Sequence, residues 1–143
     1  MRDLGEDPRP ARGAVREVYD VRGAATLAYS PDLDGLADPG EIVWAWVPYE
    51  EDPSRGKDRP LLVVGRAGRR LLGMMLSSKG DDGPEWLELG RWGNDDRVSY
   101  VRLDRVFELD EDDIRREGAV LDGERFARVA ARLMKLHGWK VGR

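Results

Sequence analysis

Three clusters of charged or hydroxyl side chains have spacings that could support chemistry. The first runs from Glu50 to Pro60, where Arg55, Lys57 and Arg59 follow an acidic triplet. It is not a phosphate-binding P-loop, because it lacks that motif's first glycine and its magnesium-binding Ser or Thr. The cations could bind an anion, and the simpler interpretation is a solvated, charged loop.

The second and third clusters lie at or near predicted strand ends. Ser77, Ser78 and Lys79 follow an apolar run, where hydroxyl groups commonly hydrogen-bond to the local turn. Arg102 and Asp104 are two residues apart, which places both side chains on one face of a strand. A surface ion pair is the simplest interpretation of that spacing.

The composition limits which chemistry these clusters could perform. The 143 residues include no Cys and one His, His137, which excludes disulfides, cysteine nucleophiles, thiolate zinc sites and His-pair metal sites. Asp32, Asp34, Gly35 and Asp38 resemble part of a calcium loop but lack its closing Glu, so an Asx-type turn is favoured. We therefore expect no metal and no cofactor, and chemistry by Arg, Lys, Asp, Glu and Ser, or none.

The charge balance and hydropathy indicate a folded protein that does not enter a membrane. The chain carries 24 basic and 28 acidic residues, and this net charge of −4 argues against indiscriminate binding of nucleic acid. It is charged from Arg2 onward, and no apolar stretch approaches the roughly 18 residues of a membrane span. We expect a single folded, cytoplasmic domain without membrane contact.

Short strands followed by helices are predicted to position the three clusters. Apolar patterning predicts five strand regions, near residues 42–47, 61–65, 71–76, 86–89 and 98–107. Asp110 and Gly118 are predicted to bound a short helix, and Asp122 and Gly138 a longer one, whose apolar stripe includes His137. That position favours packing over catalysis for His137. The predicted fold is mostly β with C-terminal α-helices, built on a small antiparallel barrel.

The chain is predicted to divide into three parts. Residues 1–18 mix charged residues with Pro and Gly and show no apolar periodicity, so they predict a flexible tail that is dispensable for folding. Residues 19–39 predict an extension that packs on the barrel. The main domain covers residues 40–143, with the barrel to about residue 109 and helices over residues 110–138.

Several of these segments together match the pattern of a toxin family. Gly40–Trp44 is like a family strand that opens with Gly and an acidic residue, and Gly56–Val64 is like the family's Arg-Pro-hydrophobic signature. Leu76–Ser78 is similar to a strand end that carries Thr, and Val101–Asp104 to an Arg-x-Asp segment. Over about residues 40–139 the sequence therefore resembles the MazF/PemK ribonuclease toxins of type II toxin–antitoxin systems.

This resemblance implies an SH3-like barrel that forms a homodimer and cleaves single-stranded RNA without a metal. It implies that Arg59 is the family's loop arginine, that Ser77 replaces its catalytic threonine, and that Arg102 and Asp104 are an acid/base pair. One departure concerns a loop histidine of some members, whose position falls near Pro53 here. No imidazole is available at that point.

The implied reaction can be assembled from the residues present. In transesterification the ribose 2′-oxygen attacks its own phosphate, which requires a base, a proton donor and cations around the phosphorane. We expect Asp104 as the base, Arg59 and Arg102 as clamps, and Ser77 as an orienting hydroxyl. Arginine is a poor proton donor, so water or Lys57 would protonate the leaving group. The products would be a 2′,3′-cyclic phosphate and a 5′-hydroxyl.

The expected partners are single-stranded RNA and a cognate antitoxin. We expect Arg55, Lys57, Ser78 and Lys79 to bind RNA, and an acidic antitoxin segment to cross Arg55, Lys57 and Arg59. Two alternatives stay open. One is a non-enzymatic barrel that binds a protein target, as the CcdB-like gyrase inhibitors do, and the other is a degenerate relative of the toxins.

Overall fold

The computed structural model describes residues 7–8, 13–31, 37–92 and 97–142. The predicted turn at Asp32, Asp34 and Gly35 lies outside the described residues. Within the described ranges the chain is mostly strand, with one α-helix near its C-terminus. In chain order the elements are β1 (Asp7–Pro8), β2 (Arg16–Val18), β3 (Thr26–Leu27), β4 (Glu41–Pro48), β5 (Arg55–Ala67), β6 (Arg70–Ser77), β7 (Trp86–Gly90), β8 (Ser99–Arg102), β9 (Val106–Leu109), a 3-10 helix (Glu111–Asp113), β10 (Arg115–Val120), α1 (Gly123–His137) and β11 (Lys140–Val141).

Two long strands curl the sheet because each of them pairs with several neighbours. The central order is β10, β4, β5, β6, β8, β7. The first half of β5 pairs with β4 and its second half with β6, and β6 pairs with β9 near its start and β8 near its end. All these pairs are antiparallel. The predicted mostly β fold with a small antiparallel barrel is confirmed.

Alternate side chains of β4 enter two apolar clusters. Ile42 packs between the sheet and α1, in the cluster that contains Leu133. Val43 packs on the opposite face, with Met75 and Phe107. Both faces of β4 are therefore buried, which explains why its sequence is an almost continuous apolar run. Each fully buried side chain of this size contributes about 1.5–3 kcal/mol.

The long C-terminal helix begins and ends at the predicted residues. The Asp122 carboxylate accepts a hydrogen bond from the Arg125 N–H at 3.1 Å, which is an N-cap. Gly138 adopts a left-handed conformation with φ 70°, as helix C-termini favour. His137 is partly buried, lies 2.8 Å from the Leu103 carbonyl oxygen through Nε2, and stacks on Trp139. These contacts agree with a packing role for His137.

None of the described helices has the length and apolar character that would let it cross a membrane.

The predicted short helix over residues 110–118 is wrong. Asp110 caps only the 3-10 helix, and β10 then pairs with the edge of β4. Two contacts favour the strand: Arg116 makes two bonds to the buried Glu41 carboxylate, at 2.8 and 3.0 Å, and Ala119 packs against the main core. Pairing also satisfies the backbone of β4, which would otherwise be an open sheet edge.

Two strand boundaries also differ from the prediction. The predicted strand over residues 98–107 divides into β8 and β9, because the chain turns at Leu103, whose N–H donates to the Glu85 carbonyl at 2.7 Å. β5 begins at Arg55, so the charged loop after β4 is shorter than predicted. Gly56 is buried there, and a Cβ at this position would lie 2.3 Å from the Val47 carbonyl oxygen. Only glycine allows this close approach.

The end of the predicted N-terminal tail belongs to the folded structure. β2 pairs with β9, and Val15 is 1% exposed within the second cluster. The Val15 N–H also donates to the Trp46 carbonyl at 3.0 Å. A three-residue strand that follows a single buried apolar residue has no detectable periodicity, which is why the sequence predicted a tail here. Leu27, in the predicted extension, is fully buried in the main core.

Candidate functional site

Arg59 and Ser77 meet where β5 and β6 lie side by side. The Arg59 Nη1 donates to the Ser77 Oγ at 3.4 Å. The pairing of Leu61 with Met75 continues toward these two residues, so their side chains leave the same face of the sheet. The Ser77 Oγ also accepts a hydrogen bond from the Lys79 N–H at 3.1 Å. Two predicted site residues are thus in contact, and the hydroxyl is held by the turn that follows it.

The guanidinium of Arg59 is half-buried. Burial is the main cause that lowers the pKa of Arg59; Tyr49 and Glu51 raise this pKa, and the neighbouring Arg105 lowers it. Arginine still keeps its charge at neutral pH. A cation with reduced hydration, next to an oriented hydroxyl, is well suited to bind an oxyanion.

Arg59 and Ser77 line a groove of about 920 Å³. Among the described residues, four basic and two acidic side chains line it, so this lining is basic although the chain as a whole is acidic. Five of the predicted site residues lie here, namely Lys57, Arg59, Ser77, Ser78 and Lys79. The other lining residues are Trp44, Asp58, Pro60, Leu76, Trp92, Arg97, Ser99, Glu117, Ala119 and Val120.

Arg102 and Asp104 form a second group. Nε and Nη2 of Arg102 donate to the two carboxylate oxygens of Asp104, with the Nη2 to Oδ2 distance at 3.1 Å. The Asp104 hydrogen bond is the main cause that raises the pKa of Arg102. Nη2 also lies 3.4 Å from the carboxylate oxygens of Glu50, and the guanidinium carbon lies 5.3 Å from the Trp86 ring centroid. Arg102 therefore faces two carboxylates.

Strand register relates the two groups. Ser77 on β6 lies opposite Tyr100 on β8, and Arg102 is two residues further along β8. Since side chains two residues apart share a face, Ser77 and Arg102 project from the same side of this sheet. Diagonal neighbours of this kind lie about 7–8 Å apart. Arg102 and Asp104 are not among the described residues that line the groove. The structure therefore places them beside it.

Arg55 lies away from the groove, at the exposed start of β5. Its backbone is in register with Pro8 of β1. The turn before it is closed by Asp52, which accepts bonds from the Ser54 N–H at 3.2 Å and the Ser54 hydroxyl at 2.6 Å. These bonds lower the pKa of Asp52. Arg55 is thus not among the residues that line the groove, and its RNA-binding role stays a prediction.

The comparison with known families decides which kind of protein this is. A sequence profile for the "PemK-like, MazF-like toxin of type II toxin-antitoxin system" matches residues 38–137, a range that contains all the candidate site residues. The chain belongs to this toxin family. The resemblance predicted from the sequence is confirmed. No curated protein sequence matches this toxin.

Solved structures of MazF share the fold of this toxin. A MazE–MazF complex (Form-II) from Deinococcus radiodurans superposes with a TM-score of 0.55 at 22% identity, over 72% of this chain and 96% of the other. MazF alone (Form-I) from the same organism superposes with a TM-score of 0.54 at 21% identity, over 72% and 97% of the two chains. At this identity the likeness concerns the fold.

The sequence missed several side chains around the site of this toxin. Trp92 and Arg97 line the groove but lie between strands, where no periodicity marks them. Glu50 contacts Arg102 from a distant part of the chain, so no local spacing could reveal that contact.

Among the described residues, no cluster of His, Asp and Glu has the arrangement of a metal site.

Proposed function

We propose that this toxin is an endoribonuclease that cleaves single-stranded RNA without a metal ion. The observation that carries the proposal is the contact between Arg59 and Ser77 inside a basic groove, in a chain of the PemK/MazF toxin family. A phosphodiester has the charge that such a groove favours. The products are a 2′,3′-cyclic phosphate and a 5′-hydroxyl.

RNA binding would use both the cations and the aromatic residues of the groove. Lys57, Lys79 and Ser78 can bind backbone phosphates there, and Arg55, two residues before Lys57 on β5, can bind a phosphate outside the groove. Proteins commonly bind single-stranded RNA by stacking its bases on aromatic side chains. The indole rings of Trp44 and Trp92, which line the same groove, offer such surfaces.

The proposed chemistry divides between the two groups of side chains. Arg59 binds the phosphorane, whose negative charge exceeds that of the phosphate, and Ser77 orients it. Asp104 removes the proton of the 2′-hydroxyl. A carboxylate has about four lone-pair sites, so the two bonds from Arg102 leave acceptor capacity on the exposed Asp104 side chain.

Two further steps complete the scheme. Arg102 holds Asp104 and reaches the phosphorane once RNA displaces the long contact with Glu50. Water or Lys57 protonates the leaving 5′-oxygen, because an arginine seldom releases a proton. No metal ion is needed for any of these steps, since cationic side chains supply the charge.

The proposed partners follow from the charge of the groove and from the family. One of the similar solved structures is a complex of MazE with MazF. We propose a cognate antitoxin with an acidic segment that binds across Arg55, Lys57 and Arg59, a homodimeric toxin, and a cytoplasmic location. Light scattering at micromolar concentration tests the dimer, and a monomeric mass would contradict it.

Cleavage in the presence of EDTA tests the proposed function directly. The purified toxin is incubated with a single-stranded RNA oligonucleotide and EDTA, and mass spectrometry identifies the fragment ends. We expect cyclic phosphates and 5′-hydroxyls from the wild type, and far less of both from Arg59→Ala. Cleavage that requires an added divalent metal would contradict the scheme. An inactive nuclease that still inhibits gyrase would support the non-enzymatic alternative.

A further inference from the structure

Arg105 is a buried arginine that directly follows Asp104 but points elsewhere. It is 5% exposed, and it is one of two charged residues among the described ones that are this deeply buried. A charge removed from water is costly unless it is paired and hydrogen-bonded. The partners of Arg105 therefore determine whether this part of the barrel keeps its shape.

Glu17 neutralises the guanidinium of Arg105 through two bonds. Nη2 of Arg105 lies 2.8 Å from Oε1 of Glu17, and Nε lies 3.1 Å from Oε2. The Glu17 side chain is only 17% exposed, so water screens this pair weakly. Glu17 lies on β2, outside residues 38–137 that match the family profile. The stabilising carboxylate thus comes from a segment that the family pattern does not include.

The same guanidinium contacts two strands near the site. One is β4, which leads into the strand of Arg59, and the other is β6, which carries Ser77. Nη2 donates to the Pro48 carbonyl at 3.0 Å, at the end of β4 and before the turn into β5. Nη1 lies 3.6 Å from the Met75 sulfur, two residues before Ser77 on β6. The positive charge of Arg105 also acts on Arg59, whose pKa it helps to lower.

We propose that Glu17 and Arg105 are a positioning pair that fixes the distance between Arg59 and Ser77 in the RNA-cleaving site. The inference rests on the proposed function. Without the Glu17 carboxylate, the Arg105 guanidinium would turn toward water or toward another carboxylate. It would then release Pro48 and Met75, and its positive charge would no longer be held in one position near Arg59. Neither residue of the pair touches RNA.

The test compares Glu17→Gln with Arg16→Ala, its neighbour on the same strand. Arg16 pairs with Glu108 at 2.6 Å on the surface, where Arg70 binds the same carboxylate oxygen. We expect Glu17→Gln to lower the single-turnover cleavage rate at saturating toxin by about tenfold or more, because small misplacements at a reacting centre are costly. The affinity for an RNA with a 2′-deoxy cleavage site should change less than about threefold. Arg16→Ala should change neither.

A second variant and a stability control distinguish positioning from simple loss of folding. Arg105→Lys keeps the charge but loses the forked contacts, and we expect it to reproduce the rate defect of Glu17→Gln. Val129→Ala destabilises the apolar cluster under α1 without removing any contact of this pair, and should leave the rate unchanged in the folded fraction. Wild-type rates in both Glu17→Gln and Arg105→Lys, or an equal slowing by Val129→Ala, would overturn the positioning role while the proposed function stands. A wild type that cleaves no RNA would overturn both.

Discussion

Arg102 binds both carboxylate oxygens of Asp104, although only one residue separates them on the chain. The residue between them, Leu103, is buried, so both charged side chains lie on its opposite side. This geometry gives the Arg102 guanidinium a fixed orientation. It also leaves Nη2 within 3.4 Å of Glu50, which would compete with a phosphate for the same donor.

Replacement of Glu50 by Gln should strengthen RNA binding. The substitution removes a negative charge that faces Arg102 and lies near the proposed path of the phosphate. We expect the affinity for a single-stranded oligonucleotide to rise about two- to fivefold at low salt and less at high salt, because exposed pairs are weak and screened. Fluorescence anisotropy measures it. Glu124→Gln, on the first turn of α1, is the matched control, and weaker binding by Glu50→Gln would contradict the prediction.

Replacement of Asp104 by Asn should abolish most cleavage without weakening RNA binding. Asn keeps the shape of the side chain but is not a base, so we expect a loss on the order of a hundredfold in the single-turnover rate. Circular dichroism checks that the fold is retained. If Arg102 and Asp104 are only a surface pair, stability changes by about 0–1 kcal/mol and cleavage is unaffected. That result would remove Asp104 from the mechanism.

Local patterns predicted those parts of the fold that local interactions determine. The caps of α1 at Asp122 and Gly138 follow from side-chain and backbone preferences within a few residues. Residues 115–120 form a strand because they pair with the edge of β4 and because Arg116 binds Glu41. Both partners are distant in sequence, so no local pattern indicates them. An acidic first turn after a good N-cap predicts a helix equally well, so the sequence alone could not decide.

The sequence motifs predicted which residues form the candidate site. They did not predict the residues that surround it. Arg59 and Ser77 each stand in a recognisable segment, and the register of β5 and β6 brings them together. Glu17 stands in a segment of Arg, Glu, Pro and Gly that resembles a disordered tail. Its bond to Arg105 spans 88 residues, and no spacing rule reaches that far.

Truncation of Val15 should destabilise the toxin. Val15 is 1% exposed, so Val15→Ala removes two methyl groups from the second cluster, and we expect a cost of about 1–3 kcal/mol in the free energy of unfolding. Val141→Ala, where the side chain is 59% exposed, should cost less than about 0.5 kcal/mol. Urea denaturation measures both. Deletion of residues 1–18 should cost more than Val15→Ala, and an unchanged unfolding midpoint after that deletion would show that the segment is dispensable.

The Asp122 cap should give α1 a pH-dependent contribution to stability. Hydrogen bonds from Arg125 lower the pKa of Asp122 in the folded state. The stabilisation is therefore fully present above the unfolded pKa, about 3.9, and is lost as the pH falls through the lower folded value. At about pH 7, Asp122→Ala should cost about 1 kcal/mol, and this difference should shrink near about pH 2. Asp122→Asn keeps an acceptor without the titration; an equal cost of Asp122→Ala at both pH values would contradict the prediction.

Removal of the Arg59 guanidinium should slow the reaction more than it weakens binding. Because the phosphorane carries more negative charge than the phosphate, the interaction strengthens in the transition state. We expect Arg59→Ala to lower the single-turnover rate about a hundredfold or more, comparable to the loss of one preorganised donor. Ser77→Ala removes only the hydroxyl 3.4 Å away and should be milder.

Arg55→Ala is the matched control for Arg59→Ala, since both are arginines of β5 but only Arg59 lines the groove. Arg55→Ala should weaken RNA binding and lower the salt dependence of the affinity by about one phosphate contact. A cation outside the groove would contact phosphate equally in the ground and transition states. Its single-turnover rate at saturating toxin should equal that of the wild type. Single-turnover measurements over a range of toxin concentrations separate the cleavage rate from the RNA affinity. If Arg59→Ala also changed only the affinity, Arg59 would be a binding residue and the phosphorane would need another cation.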